Sequence, residues 1–231
     1  MSDLPLQPTA RTRLGRGRHH AVDDRAALHA LLADALVAHI GVVVDGHPVV
    51  LPAAYGFDPD GPDDGGSLYL HGSVAARWLR AGAGTDVCVT ITELDGLVAA
   101  RSGFNHSMNY RSAVVIGRAR VVEDAVERAR ALDLIVDQMI AGRSATLRTP
   151  TRKELAATIV LAVPLREASL KVSEGDPEDE PEDVAAGVWA GVVPVYRVLG
   201  EAVTSADAVG LAVPAHVSAR AGGPRDPAPG Q

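Results

Sequence analysis

The sequence predicts a mainly β fold with inserted helices, closed as a small barrel or a sandwich. Three observations point there. Asp45-Gly46 and Asp95-Gly96 each stand between runs of strand-forming residues, where a DG pair is a strong hairpin signal. Hydrophobic residues make up 47% of the 231 and aromatics only 3%, so small aliphatic side chains must build the core. No Gly-rich turn links a strand to a helix. Gly15-x-Gly17 has no strand before it, and Gly82-Ala83-Gly84 precedes a strand, so neither a dinucleotide fingerprint nor a P-loop is present.

The elements follow in order. Asp23 or Asp24 caps a helix over about 24–36, with Leu28, Leu31, Leu32 and Ala35 at helical spacing. His39 to Val44 and Pro48 to Leu51 form the first hairpin. Ser67 to His71 is a short alternating strand, and a helix begins around Val74 with Ser73 as its N-cap. Val87 to Glu93 and Leu97 to Ala100 form the second hairpin across Asp95-Gly96. Long strands run from Ser112 to Val122 and from Thr158 to Val163. Between them a helix over Val126 to Ile140 stops at Gly142. Cys88 lies in a strand-like run as a buried apolar side chain, and a lone cysteine excludes a disulfide framework or a Cys-rich metal site. Core is also the expected place of Trp78 and Trp189.

Charge divides the chain. The net value of −7 argues against a general nucleic-acid binder but leaves room for a local anion pocket. Residues 1–20 form a flexible basic arm, with Arg11, Arg13, Arg16, Arg18, His19 and His20 either in solvent or touching an anion or a neighbouring subunit. The main domain occupies 21–172. An acidic, proline-interrupted linker follows at 173–186, carrying Glu174, Asp176, Glu178, Asp179, Glu180, Glu182 and Asp183. Residues 187–200 pack on the barrel, and 201–231 form a mostly flexible tail. With no apolar run of membrane length and no signal core at its start, the chain reads as cytoplasmic.

Two segments have the residues for chemistry. In His71-Gly72-Ser73 and Arg77, exposed N–H groups, a hydroxyl and a guanidinium assemble a phosphate pocket; the alternative is a capped helix with Arg77 in solvent. Asn109-Tyr110-Arg111-Ser112 leads a polar loop into a hydrophobic strand, either at a barrel mouth or with Arg111 paired to a carboxylate. His71 is the candidate acid/base, since a histidine titrates near neutrality. No His-x-x-x-His pair and no Gly-x-Ser-x-Gly elbow is present, so neither a metal site nor a serine nucleophile is expected.

Leu68-Tyr69-Leu70-His71-Gly72-Ser73, Ala76-Arg77 and Asn109-Tyr110-Arg111-Ser112 through Gly117 and Ala119 resemble the flavin-nucleotide-binding branch of the pyridoxamine 5′-phosphate oxidase-like superfamily, near the Nim-type nitroimidazole-resistance proteins. Ala38 to Pro52 and Trp189 to Pro194 fit the same pattern, so the likeness covers roughly 17–195. It implies a split β-barrel, a homodimer and FMN at the subunit interface. It places Arg77 on the flavin phosphate and His71, Gly72 and Ser73 along the ribityl-phosphate end. Leu51, Pro52, Ala53, Ala54 and Tyr55 would flank the isoalloxazine, and Asn109, Tyr110, Arg111 and Ser112 would close the site from either subunit. The activity implied is an FMN-dependent oxidoreductase passing hydride from a reduced nicotinamide to a small acceptor such as a nitro compound, a quinone or oxygen. A non-catalytic flavin carrier or sensor, or a haem- or deazaflavin-binding member of the same fold, is the alternative. The long Asp/Gly/Pro-rich loop from Phe57 to Gly66 departs from the pattern and bears on substrate access.

Overall fold

The computed structural model describes residues 5–6, 9–15, 17–221 and 223–224. Strand β1 (Ala21–Val22) leads into helix α1 (Arg25–Asp34), whose N-cap Asp24 accepts the Ala26 N–H. Leu28, Leu31 and Leu32 are the buried face of that helix. Strands β2 (Ala38–Val44) and β3 (His47–Ala53) then form a hairpin in which Val44 faces His47. Asp45 at φ 51° and Gly46 at φ 80° make its two-residue turn, both in the left-handed region that a type I′ turn demands.

Strands β4 (Tyr55–Asp58) and β5 (Ser67–Ser73) follow, then the short helix α2 (Arg77–Gly82). The helix does not begin at Val74, and Ser73 is no N-cap. The Ser73 carbonyl and hydroxyl accept the N–H groups of Ala76 (2.9 Å) and Ala75 (3.1 Å), so residues 73–76 make a turn and helix starts only at Arg77.

Strand β6 (Asp86–Ala99) overturns a second expectation, because it runs straight through Asp95-Gly96 with no hairpin. Strand β7 (Ser107–Arg118) pairs along its whole length, with Leu94 opposite Tyr110 and Gly96 opposite Asn109, which leaves Asp95 as a bulge. After a break at Ala119 comes β8 (Arg120–Val121), so the expected strand 112–122 starts earlier and splits between two sheets. Helix α3 (Ala125–Met139) is capped by Asp124, and Gly142 follows at φ 75°. Helix α4 (Arg152–Ala157) carries a Thr151/Glu154 capping box and feeds β9 (Thr158–Pro164) and β10 (Ala168–Ser173). The chain continues through α5 (Pro181–Ala185), β11 (Gly191–Pro194), β12 (Val198–Leu199), α6 (Ala215–Arg220) and β13 (Gly223–Pro224).

Beside the short β12–β13 pair, one sheet runs β1-β10-β7-β6-β2-β3, with β11 also on β6, and the other runs β4-β5-β9-β8. Both are antiparallel throughout, and the chain is mainly β. Ile40, Val42, Val89, Ile91, Val115, Leu161 and Val163 fill the interior with the leucines of α1, the small-aliphatic core that the composition demanded. Helix α3 covers the second sheet through Ala131 and Ile135. It lies so close to β4 that a Cβ at Gly56 would stand 2.7 Å from the Ile135 backbone nitrogen.

Several peripheral expectations are corrected. In the basic arm Leu6 is buried in the main core, and Arg11 pairs with Asp86 at 2.7 Å and with Glu167. Cys88 is half-buried, and Trp189 is 70% exposed. The acidic run is not wholly solvated. Pro181 opens α5, and Asp179, its side chain 1% exposed, takes the Arg101 backbone N–H and guanidinium at 2.9 Å each. Part of the tail is ordered, because the Arg220 Nε–H donates to the Met139 carbonyl at 3.0 Å. Residues 222 and 225–231 and Arg16 lie outside the described residues.

Candidate functional site

The residues singled out in the sequence fall into three places. The first is the end of β5. His71 pairs with Val160 on β9 and lies beyond the last β4 partner, Leu70, so its ring is only half covered. Its Nδ1 is buried without a hydrogen-bond partner, and burial holds its pKa below the ordinary value. A histidine in that state is neutral at physiological pH and presents a lone pair or an N–H for a ligand. A Cβ at the neighbouring Gly72 would stand 2.8 Å from the Leu79 Cδ1 and would have to displace that methyl group. Arg77 is exposed and ion-paired with Asp45 of the β2–β3 turn. With the two side chains 66% and 70% exposed, that pair is weak and a bound anion can displace the carboxylate.

A second group gathers at the end of β3. Pro52, Ala53 and Ala54 form one wall of a cavity of about 610 Å³, opposite Met139 and Ile140, with Leu199 and Val217 from the C-terminal segment. Arg220 is the charged residue of this lining. Leu51 packs against the core and Tyr55 points away from the cavity. The Tyr55 hydroxyl donates to the carbonyls of Leu32 (2.6 Å) and Ala35 (3.1 Å), and burial raises its pKa far above the phenolic range. Its part is to tie β4 to the end of α1.

The third group sits at the start of β7, where strand alternation splits four neighbours between two faces. Asn109 and Arg111 line a cavity of about 230 Å³ with Asp95. The Asn109 Nδ2 donates to the Gly175 carbonyl at 3.0 Å. Arg111 donates to both oxygens of Asp95 (3.0 and 2.9 Å) and reaches Asp34 at 3.4 Å. The Asp95 bond holds its pKa above the ordinary guanidinium value. On the other face the Tyr110 ring lies 5.3 Å from the Lys171 Nζ, and Ser112 meets Thr92 at 3.1 Å. The two cavities share no lining residue, so a single chain does not bring the three groups together.

The sequence profile of the pyridoxamine 5′-phosphate oxidase family matches residues 24–172. The chain belongs to the pyridoxamine 5′-phosphate oxidase-like family. Among solved structures, this family member is similar to the FAD and haem binding protein from Mycobacterium smegmatis. They are 43% identical with a TM-score of 0.80, over 88% of this chain and 98% of that one. It is also similar to the flavocytochrome Anf3 from Azotobacter vinelandii, at 36% identity and a TM-score of 0.82, over 92% and 97% of the two chains. A 5-nitroimidazole antibiotic resistance protein from Bacteroides thetaiotaomicron shares the fold at 22% identity and a TM-score of 0.54, over 66% and 86% of the chains. Curated relatives include phthioceranic/hydroxyphthioceranic acid synthases of Mycobacterium tuberculosis and Mycobacterium bovis. The match is 35% identical over 107 residues, 44% of this chain, and the chain covers 5% of the length of those synthases.

Sequence reasoning missed two features. Arg197 joins Glu93 and Asp34 (3.2 Å), which fastens the segment after β11 to the end of α1 and to β6. The second is the roof of the large cavity, contributed by residues 199–221. Its only local signal was Pro214 before a six-residue helix, too short to show a hydrophobic period. No group of three or more His, Cys, Asp or Glu side chains among the described residues is placed to hold a metal ion. No helix among them is long and apolar enough to cross a membrane.

Proposed function

We propose that this protein binds a flavin nucleotide and a haem, and passes electrons from a reduced nicotinamide to a small acceptor. The match over 88% of this chain, 43% identical, with a protein described as binding FAD and haem carries the reading. It favours FAD over the FMN suggested by the local motifs. The residues with the chemistry for the two groups lie in separate places of one chain. A cavity of about 610 Å³ lies within the roughly 300–1,000 Å³ usual for ligand sites, and its apolar wall of Pro52 to Ala54 suits the face of a flat ring. Arg77 and the backbone of Gly72 and Ser73 would hold phosphate. His71, neutral and with a buried unpartnered nitrogen, has the chemistry of a haem iron ligand.

A flavin accepts hydride and releases single electrons, and a haem carries one electron at a time. The chain's own part is to position and shield. The Leu79 side chain lies over Gly72, and Leu199 and Val217 of the C-terminal segment add apolar wall to an open cavity.

We further propose a homodimer. Two copies are needed for Asn109 to Ser112 of one chain to approach Pro52, Ala53 and Arg77 of the other. The outer face of the first sheet supports pairing: Val43 and Val50 are 62% and 66% exposed there, beside a shallow cavity lined by Gly41, Cys88 and Ile116.

The deciding test is the absorption spectrum of the purified protein, followed by mass analysis of what it releases. Flavin bands together with a Soret band are expected. A preparation that stays colourless after incubation with FAD, FMN and haem overturns the reading. His71→Ala should lose the Soret band and keep the flavin bands. Arg77→Ala should weaken flavin binding about tenfold by titration calorimetry, the scale of one charge-assisted hydrogen bond. Stopped-flow mixing with NADH or NADPH then separates an oxidoreductase from a carrier, which would not bleach.

A further inference from the structure

The basic arm encloses a cleft that the cofactor reading does not use. Three anchors hold the arm against the first sheet. Leu6 is buried and its N–H donates to the Asp23 carbonyl at 2.8 Å. Arg11 is fixed by Asp86 and Glu167. Beyond it the chain turns at Gly17, whose φ of 61° a residue with a side chain rarely adopts, and returns to β1. Between these anchors and β10 lies a cavity of about 310 Å³.

Its lining joins two chemistries. Leu6, Leu14 and Leu170 supply an apolar floor, and Arg13 and Arg18 stand at its edge. Unlike that of Arg11, neither of these guanidinium groups makes an ion pair or hydrogen bond with a described residue. Lys171, outside the lining, adds positive charge near the arm, its Nζ 3.5 Å from a Cβ built on Gly17. The lining carries one carboxylate, Asp23. The surplus is positive in a chain whose net charge is −7. Two guanidinium forks match a dianion better than a single carboxylate, and the leucines match a hydrocarbon body.

We propose that this arm–sheet cleft binds a phosphate monoester carried on a short apolar body, with Arg13 and Arg18 on the phosphate. None of its lining residues belongs to the three groups described above, so the proposal stands or falls apart from the flavin.

The test is titration calorimetry on the full-length protein as purified, with hexyl phosphate and inorganic phosphate as probes. Saturable binding of hexyl phosphate is expected, at least about tenfold tighter than inorganic phosphate because the chain leaves water. The double variant Arg13→Ala/Arg18→Ala should lose at least about tenfold in hexyl phosphate affinity. Both side chains are exposed, so its circular dichroism should match the parent. Arg152→Ala, an exposed arginine on α4, controls for simple loss of charge and should bind as the parent does. Equal affinity for the two probes, parent-like binding by the double variant, or an equal loss in Arg152→Ala would each overturn the proposal. Vesicles containing phosphatidic acid test a lipid headgroup as the source. No co-sedimentation is expected, and vesicle binding that the double variant abolishes would replace the small-molecule ligand with a membrane.

Discussion

Asp45-Gly46 and Asp95-Gly96 are the same dipeptide between similar strands, and they do opposite things. The first reverses the chain with both residues at positive φ. At the second, Gly96 is not left-handed and the strand runs on to Ala99. The difference lies in the neighbours. At Asp45-Gly46 only β2 and β3 meet, and nothing lies within 4 Å of where a Gly46 Cβ would be. At Asp95-Gly96 the strand has β7 along one edge and β2 and then β11 along the other, and a ladder on both sides holds the backbone extended. Each aspartate also holds an arginine that the sequence nominated for the cofactor. Asp45 meets Arg77 in solvent, and Asp95 meets Arg111 in a half-buried network.

The comparison can be broken by substitution. Gly96→Val should be the most damaging change, at about 1–3 kcal/mol in urea unfolding, because a Cβ there stands 2.9 Å from the Val192 Cγ1 and must push β11 away. Gly46→Val should cost about 1–2 kcal/mol for a different reason, the left-handed backbone alone. If the two costs are reversed, the close approach of β11 is not what keeps the strand straight.

The aspartates sharpen the contrast at smaller scale. Asp95→Asn should destabilise by about 1.5 kcal/mol, the low end for hydrogen bonds to a charged group, because the amide leaves Arg111 one neutral acceptor in place of two charged ones, besides the longer Asp34 contact. Asp45→Asn should fall within about 0.5 kcal/mol of the parent, since Asn-Gly suits the same turn and the exposed ion pair contributes little. Equal effects at the two positions would remove the distinction between the networks.

The smallest expected effect is a pH dependence on the Arg77 side. His71 has its folded pKa depressed by burial, so below the unfolded value of about 6.5 the unfolded chain binds a proton that the folded chain resists. Stability should therefore decline as pH falls from about 6.5 towards the folded pKa. His71→Gln should flatten that decline when urea midpoints are compared between pH 7 and pH 5.5. His29, also depressed mainly by burial, leaves a residual slope. A parent and variant with parallel profiles would show that His71 titrates as it does in water.

The sequence made legible whatever is decided by contacts close in the chain. The cap at Asp24 and the turn at Asp45-Gly46 each act within a few residues, and each lies where the spacing put it, whereas the helix expected to stop at Gly142 ends at Met139 with Ile140 as its C-cap. Distant partners hid the rest. Nothing near Asp95 announces that β11 will lie beside Gly96, and nothing near Leu6 announces a place in the core. The site followed the same rule. The motif residues were legible as a set, but Tyr55 bonds to carbonyls at the end of α1, and the wall facing Ala53 comes from the far end of the chain.

Sharing one edge of β6 between β2 and β11 also sets an order of synthesis. On the ribosome β2, β6 and β7 can pair early, while the stretch from Gly96 to Ala99 offers bare amide and carbonyl groups until residue 194 has been made. A nascent chain stalled in that interval carries an adhesive open edge, ready to recruit a strand from another chain. Translation pauses between the codons for Ala99 and Pro194 should therefore favour inclusion bodies far more than pauses after them.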